Sequence, residues 1–163
     1  MDWTTVGVGD GAIALTHRPK VKLLPDMAAA GATHLVTLLS KREGALALGP
    51  AAEAAGLEWI WVDVPNGQEP TQASRNAIVA ALARLEPLVT GGATAVIHCS
   101  AGIHRTGMFA YALLRAHGLD PDGARDTLRQ LRVVTAEGVG EHRLAWAEEL
   151  ATLARHRLNG HLL

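Results

Sequence analysis

The residues best equipped for chemistry are consecutive: His98-Cys99-Ser100-Ala101-Gly102-Ile103-His104-Arg105-Thr106-Gly107. The run Ala93–His98 before them has the composition of a short strand, and Thr106–Ala116 after them that of a buried helix ending near Gly118. A loop in that position points several backbone N–H groups inward and adds the positive end of the helix dipole, so it favours an anion. The same field stabilises a thiolate, and cysteines so placed fall from about 8.5 to roughly 3.5–7.5. Cys99 is therefore expected to be a nucleophile at neutral pH. Arg105 lies at the far end of the loop, where its planar fork can hold two oxygens of a phosphoryl group. Gly102 lets the loop curl, Thr106 can donate to the sulfur, and His98 can orient the loop through a ring N–H. Each has a plainer alternative: Cys99 as a small buried hydrophobe, His98 as a satisfied core histidine, Thr106 as a helix cap.

The elements that must hold this loop alternate between apolar runs rich in β-formers and Ala- and Leu-rich segments of helical period. Ala12–Leu15, Thr33–Leu39, Glu58–Val64 and Ala93–His98 read as strands. Leu24–Ala30, opened by Pro25, and Pro50–Ala55, stopped by Gly56, read as short helices. From Thr71 the spacing of Ile78, Leu82, Leu85 and Leu88 or Val89 marks one face of a long helix that Gly91-Gly92 ends. Asp120-Pro121 is an N-cap with Pro in the first turn, opening a helix to about Arg132. A last helix runs from about Gly140 to Arg155, and Asn159-Gly160 should fray. Trp59 and Trp61 alternate on their strand as core residues, and Trp146 packs on the last helix. The expected fold class is α/β, a single central, mostly parallel β-sheet flanked by helices, with residues 1–163 as one domain.

Composition narrows the classes of function. Apolar residues make up 48% of 163, and the net charge is -1, which suggests neither a disordered polymer nor a nucleic-acid binder. No stretch approaches the roughly 20 apolar residues of a spanning helix, and residues 1–10 lack the pattern of a secretory leader. One cysteine excludes an internal disulfide and with it a disulfide-stapled secreted fold. The expectation is a cytoplasmic protein with no membrane partner and an oligomeric state left open.

The run HCSAGIHRT resembles the signature of the cysteine-dependent protein tyrosine phosphatase superfamily: His-Cys, five residues, Arg, then Ser or Thr. GATHLVTLL before it and GLDPDGARDTLRQLR after it are similar to the small, atypical dual-specificity branch. The resemblance implies a compact phosphatase domain that hydrolyses a phosphomonoester through a phosphocysteine intermediate. It implies that Cys99 attacks phosphorus and that Ser100, Ala101, Gly102, Ile103, His104 and Arg105 bind the phosphate. Thr106 helps the sulfur leave. No cofactor and no metal are implied.

Such phosphatases usually supply an Asp from a loop upstream, which protonates the leaving oxygen and then activates water. By comparison with related loops, that position in Val62-Asp63-Val64-Pro65-Asn66-Gly67-Gln68-Glu69-Pro70 falls on Asn66, which cannot donate a proton usefully. Asp63 and Glu69 flank it, and Asp63, at a strand end, is preferred; solvated loop charges are the plain alternative for both. Glu69-Pro70 and His104–Gly107 also resemble a plant and fungal branch acting on inositol pyrophosphates. Its basic loop residues are replaced here by Ser100, Ala101 and Ile103. With only His104 and Arg105 evident as cations, a phosphoprotein or singly phosphorylated small molecule is the expected substrate. Two further classes compete: a phospho-ligand-binding module, motivated by Asn66, and a thiol-based sulfurtransferase or arsenate reductase, opposed by the Arg-Thr ending and the lack of a resolving cysteine.

Overall fold

A computed structural model describes residues 3–160. Five strands form one sheet in the order β1-β2-β5-β3-β4: β1 (Thr5–Val8), β2 (Gly11–Thr16), β3 (His34–Thr37), β4 (Glu58–Trp61) and β5 (Thr94–His98). Only β1, which turns back through Gly9-Asp10, runs antiparallel. The expected mostly parallel sheet is present. The edge strand β1 was not anticipated, because four residues containing a glycine carry little alternating pattern.

Side chains alternate across the sheet, so each inner strand feeds two cores. Ile97 and Ala95 of β5, Val36 of β3 and Ile13 of β2 face α3 (Gln72–Thr90), α4 (His104–His117), α5 (Pro121–Leu131) and α7 (Glu141–Gly160). Val96, Leu35 and Ala14 face the smaller α1 (Leu24–Ala29) and α2 (Leu48–Ala54). A parallel sheet covered on both faces explains why these strands read as continuous apolar runs.

Boundaries differ from the sequence reading where tertiary contacts decide them. The strand expected over Thr33–Leu39 pairs only over His34–Thr37, and that over Glu58–Val64 stops at Trp61. Between α5 and α7 stands an unanticipated helix, α6 (Val133–Gly138). Helix α7 continues through Asn159 and Gly160, where fraying was expected. Asp120 caps α5 as expected, its carboxylate accepting from the Gly123 amide at 2.6 Å. Trp59 and Trp61 stack at 5.8 Å on β4, and the Trp59 ring occupies a space that only a glycine at 49 leaves open, since a Cβ there would stand 2.7 Å from it. No helix among the described residues is long and apolar enough to cross a membrane.

Candidate active site

β5 is the central strand, and the chain leaving its C-terminal end turns through residues 99–103 into α4, whose first residue is His104. The helix begins two residues before the expected Thr106, so His104 and Arg105 lie in its first turn. A switch point beside the carboxyl ends of parallel strands is where such sheets bind ligands.

The carbonyls of the loop are held outward. Ser100 O accepts from the Arg18 amide at 2.9 Å. Ala101 O and Gly102 O accept from the Arg132 guanidinium at 3.0 and 2.8 Å, and Gly102 O also accepts from the Thr135 hydroxyl. Cys99 O accepts from His98 Nδ1 at 2.9 Å. With the carbonyls engaged from outside, the amide side of the peptide planes turns inward, which makes an anion seat. Gly102 is required for more than curvature. Its φ is +71°, and a Cβ there would lie 2.3 Å from Thr16 O.

His98 is wholly buried, and burial drives its pKa down to about 4, so the ring is neutral. Because a carbonyl can only accept, Nδ1 carries the proton. Nε2 then accepts from the Thr37 hydroxyl at 2.8 Å, and Thr37 Oγ1 accepts from Trp59 Nε1 at 2.8 Å. This chain from β4 through β3 fixes the tautomer and the backbone at the cysteine. His98 is therefore both a core histidine and the orienting group.

Cys99 is 3% exposed. Burial is the largest influence on its thiol and opposes ionisation. The hydroxyl and amide of Thr106, the Arg105 charge and the Gly102 amide together outweigh it and hold the pKa below the ordinary value. The Thr106 hydroxyl, itself buried, has no partner of standard geometry. The acceptor before it is the sulfur, which becomes a strong one only on ionisation.

Arg105 is fixed by a residue the sequence reading missed. Glu43 follows β3 in a short turn, and its carboxylate takes Arg105 Nη1 at 2.7 Å and Nη2 at 2.8 Å; Nη1 also donates to Val64 O at 2.9 Å. These contacts use three of the five guanidinium N–H groups. What remains is the Nε–H and the second Nη2–H, which lie on one edge of the plane. Nε is buried and has no acceptor. That edge is the fork suited to two phosphoryl oxygens. Glu43 is held ionised, its pKa lowered to about 2 chiefly by the Arg105 hydrogen bonds. Its own turn is set by a capping box with Ser40, whose amide and hydroxyl donate to Glu43 Oε2 at 2.8 and 2.9 Å. Arg18 bridges the two halves of the site: its amide holds Ser100 O, and its guanidinium donates to Glu43 O and, at 3.2 Å, to Gly44 O. A Ser-x-x-Glu pattern just after a buried strand was the available signal for Glu43.

Among the described residues neither candidate acid makes a hydrogen bond to the loop, although Asp63 directly precedes Val64, whose carbonyl accepts from Arg105. Asp63 is exposed between buried Val62 and Val64, in a recess with Ser40, Lys41, Arg42 and Pro65, and its carbonyl accepts from Ser74 at 3.2 Å. Glu69 and Asn66 are exposed, and neither makes a polar contact with residues 98–107 among the described residues. The cation count taken from the sequence was too low: Arg18, Lys41 and Arg42 stand near the site through the Glu43 turn, and His142 and Arg143 flank His104.

A thiol of lowered pKa, a ring of inward amides and a guanidinium edge on one switch-point loop define a cysteine-based phosphatase. Residues 7–155 match the family described as PTP-SAK, Swiss Army Knife protein, DSP-PTPase phosphatase domain, and the chain belongs to that family. No protein of curated function matches the chain in sequence. Among solved structures, Tk-PTP in its active form is similar at TM-score 0.66 and 23% identity, covering 91% of this chain and 93% of that one. PTPMT1 in complex with PI(5)P is similar at TM-score 0.69 and 16% identity, covering 96% and 99%. The core catalytic domain of the PP-IP phosphatase SIW14 from S. cerevisiae, in complex with citrate, is similar at TM-score 0.62 and 15% identity, covering 94% and 91%. At these identities the likeness is one of fold.

Proposed function

We propose that residues 1–163 act as one domain that hydrolyses a phosphomonoester through a phosphocysteine intermediate, the substrate being a phosphorylated protein or a small phosphorylated molecule. The observation carrying this is the unpaired edge of Arg105, held by Glu43 beside a thiol whose pKa is lowered. Cys99 Sγ attacks phosphorus and the bond to the leaving oxygen breaks, that oxygen taking a proton from the acid. Water then attacks the phosphocysteine, gives its proton back to the same carboxylate, and the P–S bond breaks as Thr106 donates to the departing sulfur. The loop amides and Arg105 stabilise the equatorial oxygens throughout.

For the acid we retain Asp63, because its recess is shared with the Ser40–Arg42 turn that leads into Glu43; nothing places Glu69 comparably. Asp63→Asn should slow an alkyl phosphate far more than an activated aryl phosphate, whose leaving group needs little protonation, and should remove one limb of the pH profile of kcat. If Glu69→Gln does this instead, the assignment moves to Glu69. The neighbours solved with PI(5)P or named a PP-IP phosphatase support a small molecule alongside a phosphoprotein.

A second reading, a phospho-ligand-binding module, is favoured by Asn66 in the position where related loops carry the acid. Turnover of p-nitrophenyl phosphate separates the two. Cys99→Ser should abolish that turnover and still bind inorganic phosphate; unchanged turnover in the variant would refute the nucleophile, and no turnover in the wild type would leave the binding module.

A further inference from the structure

The chain between β2 and α1 serves two neighbours. It backs the phosphate loop: a Cβ on Gly102 would stand 2.3 Å from Thr16 O and 2.7 Å from the His17 nitrogen, and the Arg18 amide donates to Ser100 O at 2.9 Å. The same Thr16 and His17, with Pro19, also wall a recess of about 530 Å³ that Trp3 and the start of α1 complete. That volume is within the roughly 300–1,000 Å³ of small-molecule sites. No residue of the loop itself, 98–107, lines the recess.

Its interior is apolar and its edge cationic. Met27 is 1% exposed and Pro19 is buried, while Trp3 is half-buried and packs on the core beneath α1 and α2. Leu23 lines the recess with 36% of its surface in water. Apolar surface of this kind gains from an occupant that removes it from water. Lys20, Lys22 and His17 are exposed along the edge, and no acidic residue lines it. Among the described residues neither lysine forms an ion pair. Trp59 and Trp61 donate their indole N–H groups to Thr37 and to Leu39 O, whereas that of Trp3 has no acceptor among the described residues.

We propose that this recess binds a small amphiphile, an alkyl chain carrying one carboxylate, and that its occupancy tightens phosphate binding in the Cys99 loop. The chain lies against Trp3, Leu23 and Met27, and the thioether adapts to an irregular fit. The head group meets Lys20 and Lys22, compact point charges that suit a single anionic group rather than a planar, bidentate one. Binding itself is independent of the phosphatase reading, and its effect on the loop rests on that reading. The coupling follows from shared backbone. Thr16–Pro19 must be ordered both to wall the recess and to hold Gly102 and Ser100, so a ligand that orders them reduces the ordering phosphate binding still requires. By linkage, phosphate must then tighten the amphiphile by the same factor.

Calorimetric titration of the purified protein with hexanoate, octanoate and octylamine tests the site. Octanoate should bind once per chain and about tenfold more tightly than hexanoate, because two further methylenes leave water. Octylamine, with the opposite charge, should bind more weakly than either. Lys20→Gln/Lys22→Gln should weaken octanoate about fivefold and leave turnover of p-nitrophenyl phosphate unchanged, which also shows that the variant folds. Saturating octanoate should lower the inhibition constant of inorganic phosphate about fivefold, and phosphate should tighten octanoate equally. Equal binding of hexanoate and octanoate, octylamine binding as tightly as octanoate, or an affinity the double variant leaves intact overturns the site. An unchanged phosphate constant overturns the coupling, and competition between octanoate and phosphate overturns both, since it places the carboxylate in the Cys99 loop. Binding to vesicles of phosphatidylcholine and phosphatidylserine without binding of monomeric octanoate would assign the patch to a lipid surface, against the proposal. Turnover of p-nitrophenyl phosphate in the absence of octanoate reports on the phosphatase reading separately.

Discussion

Arg105 illustrates how a side chain is made ready before its ligand arrives. An arginine anchored at one end only would lose rotamer freedom on binding phosphate; here Glu43 and Val64 O already fix the guanidinium plane. Glu43→Gln keeps the shape but removes the charge, so it should weaken phosphate binding and lower kcat/KM by about tenfold or more, and destabilise the fold by about 2 kcal/mol. Phosphate inhibition and urea unfolding measure the two effects. The Cys99 thiol should be alkylated by iodoacetamide with a midpoint below the roughly 8.5 of a free cysteine, and a midpoint at the free value would argue against the ring of donors. The closeness of Cys99, Arg105 and Thr106 was legible in the sequence because they follow one another through a single strand-to-helix turn. Glu43 was not, since its partner is 62 residues away and only the pairing of β3 with β5 brings them together.

At the scale of elements, the loop is held from three directions. Arg18 comes from the chain after β2, Arg132 and Thr135 from the α5–α6 corner, and His98 from β5 itself. The strand-to-helix position was readable from composition, but these outer contacts were not. Arg132 and Thr135 look in the sequence like ordinary residues of a helix end, and α6 itself lacks the apolar period that would mark it. Gly102→Ala should show how little tolerance the packing leaves. With a positive φ and a Cβ directed at Thr16 O, the loop must move, and we expect kcat/KM to drop at least tenfold with about 1–3 kcal/mol of lost stability. An alanine variant with native kinetics would show that the contact to β2 does not set the loop.

For the molecule as a whole, the acid side of the stability curve should carry the mark of its paired carboxylates. Glu43 is held at about 2, against 4.5 ordinarily, and Glu148 is also lowered, chiefly by its hydrogen bond from Arg115. The folded state binds these protons less readily than the unfolded chain. Their contribution is therefore complete above about pH 4.5 and lost as pH falls toward 2. Urea midpoints measured from pH 7 down to 3 should decline, and less steeply in Glu43→Gln; equal slopes would show that the pair is not what the acid limb reports. The α/β architecture was recoverable from the alternation of strand-like and helix-like segments, whereas the edge strand β1 depended on pairing that four residues cannot advertise. The run of hydrogen bonds from the Trp59 indole through Thr37 and His98 to the cysteine carbonyl has an optical corollary. The chromophore sits on the far end of the same wire that positions the nucleophile. Occupancy of the catalytic centre should thus register in the intrinsic emission of the unlabelled protein, making titrations possible without a chromogenic reagent.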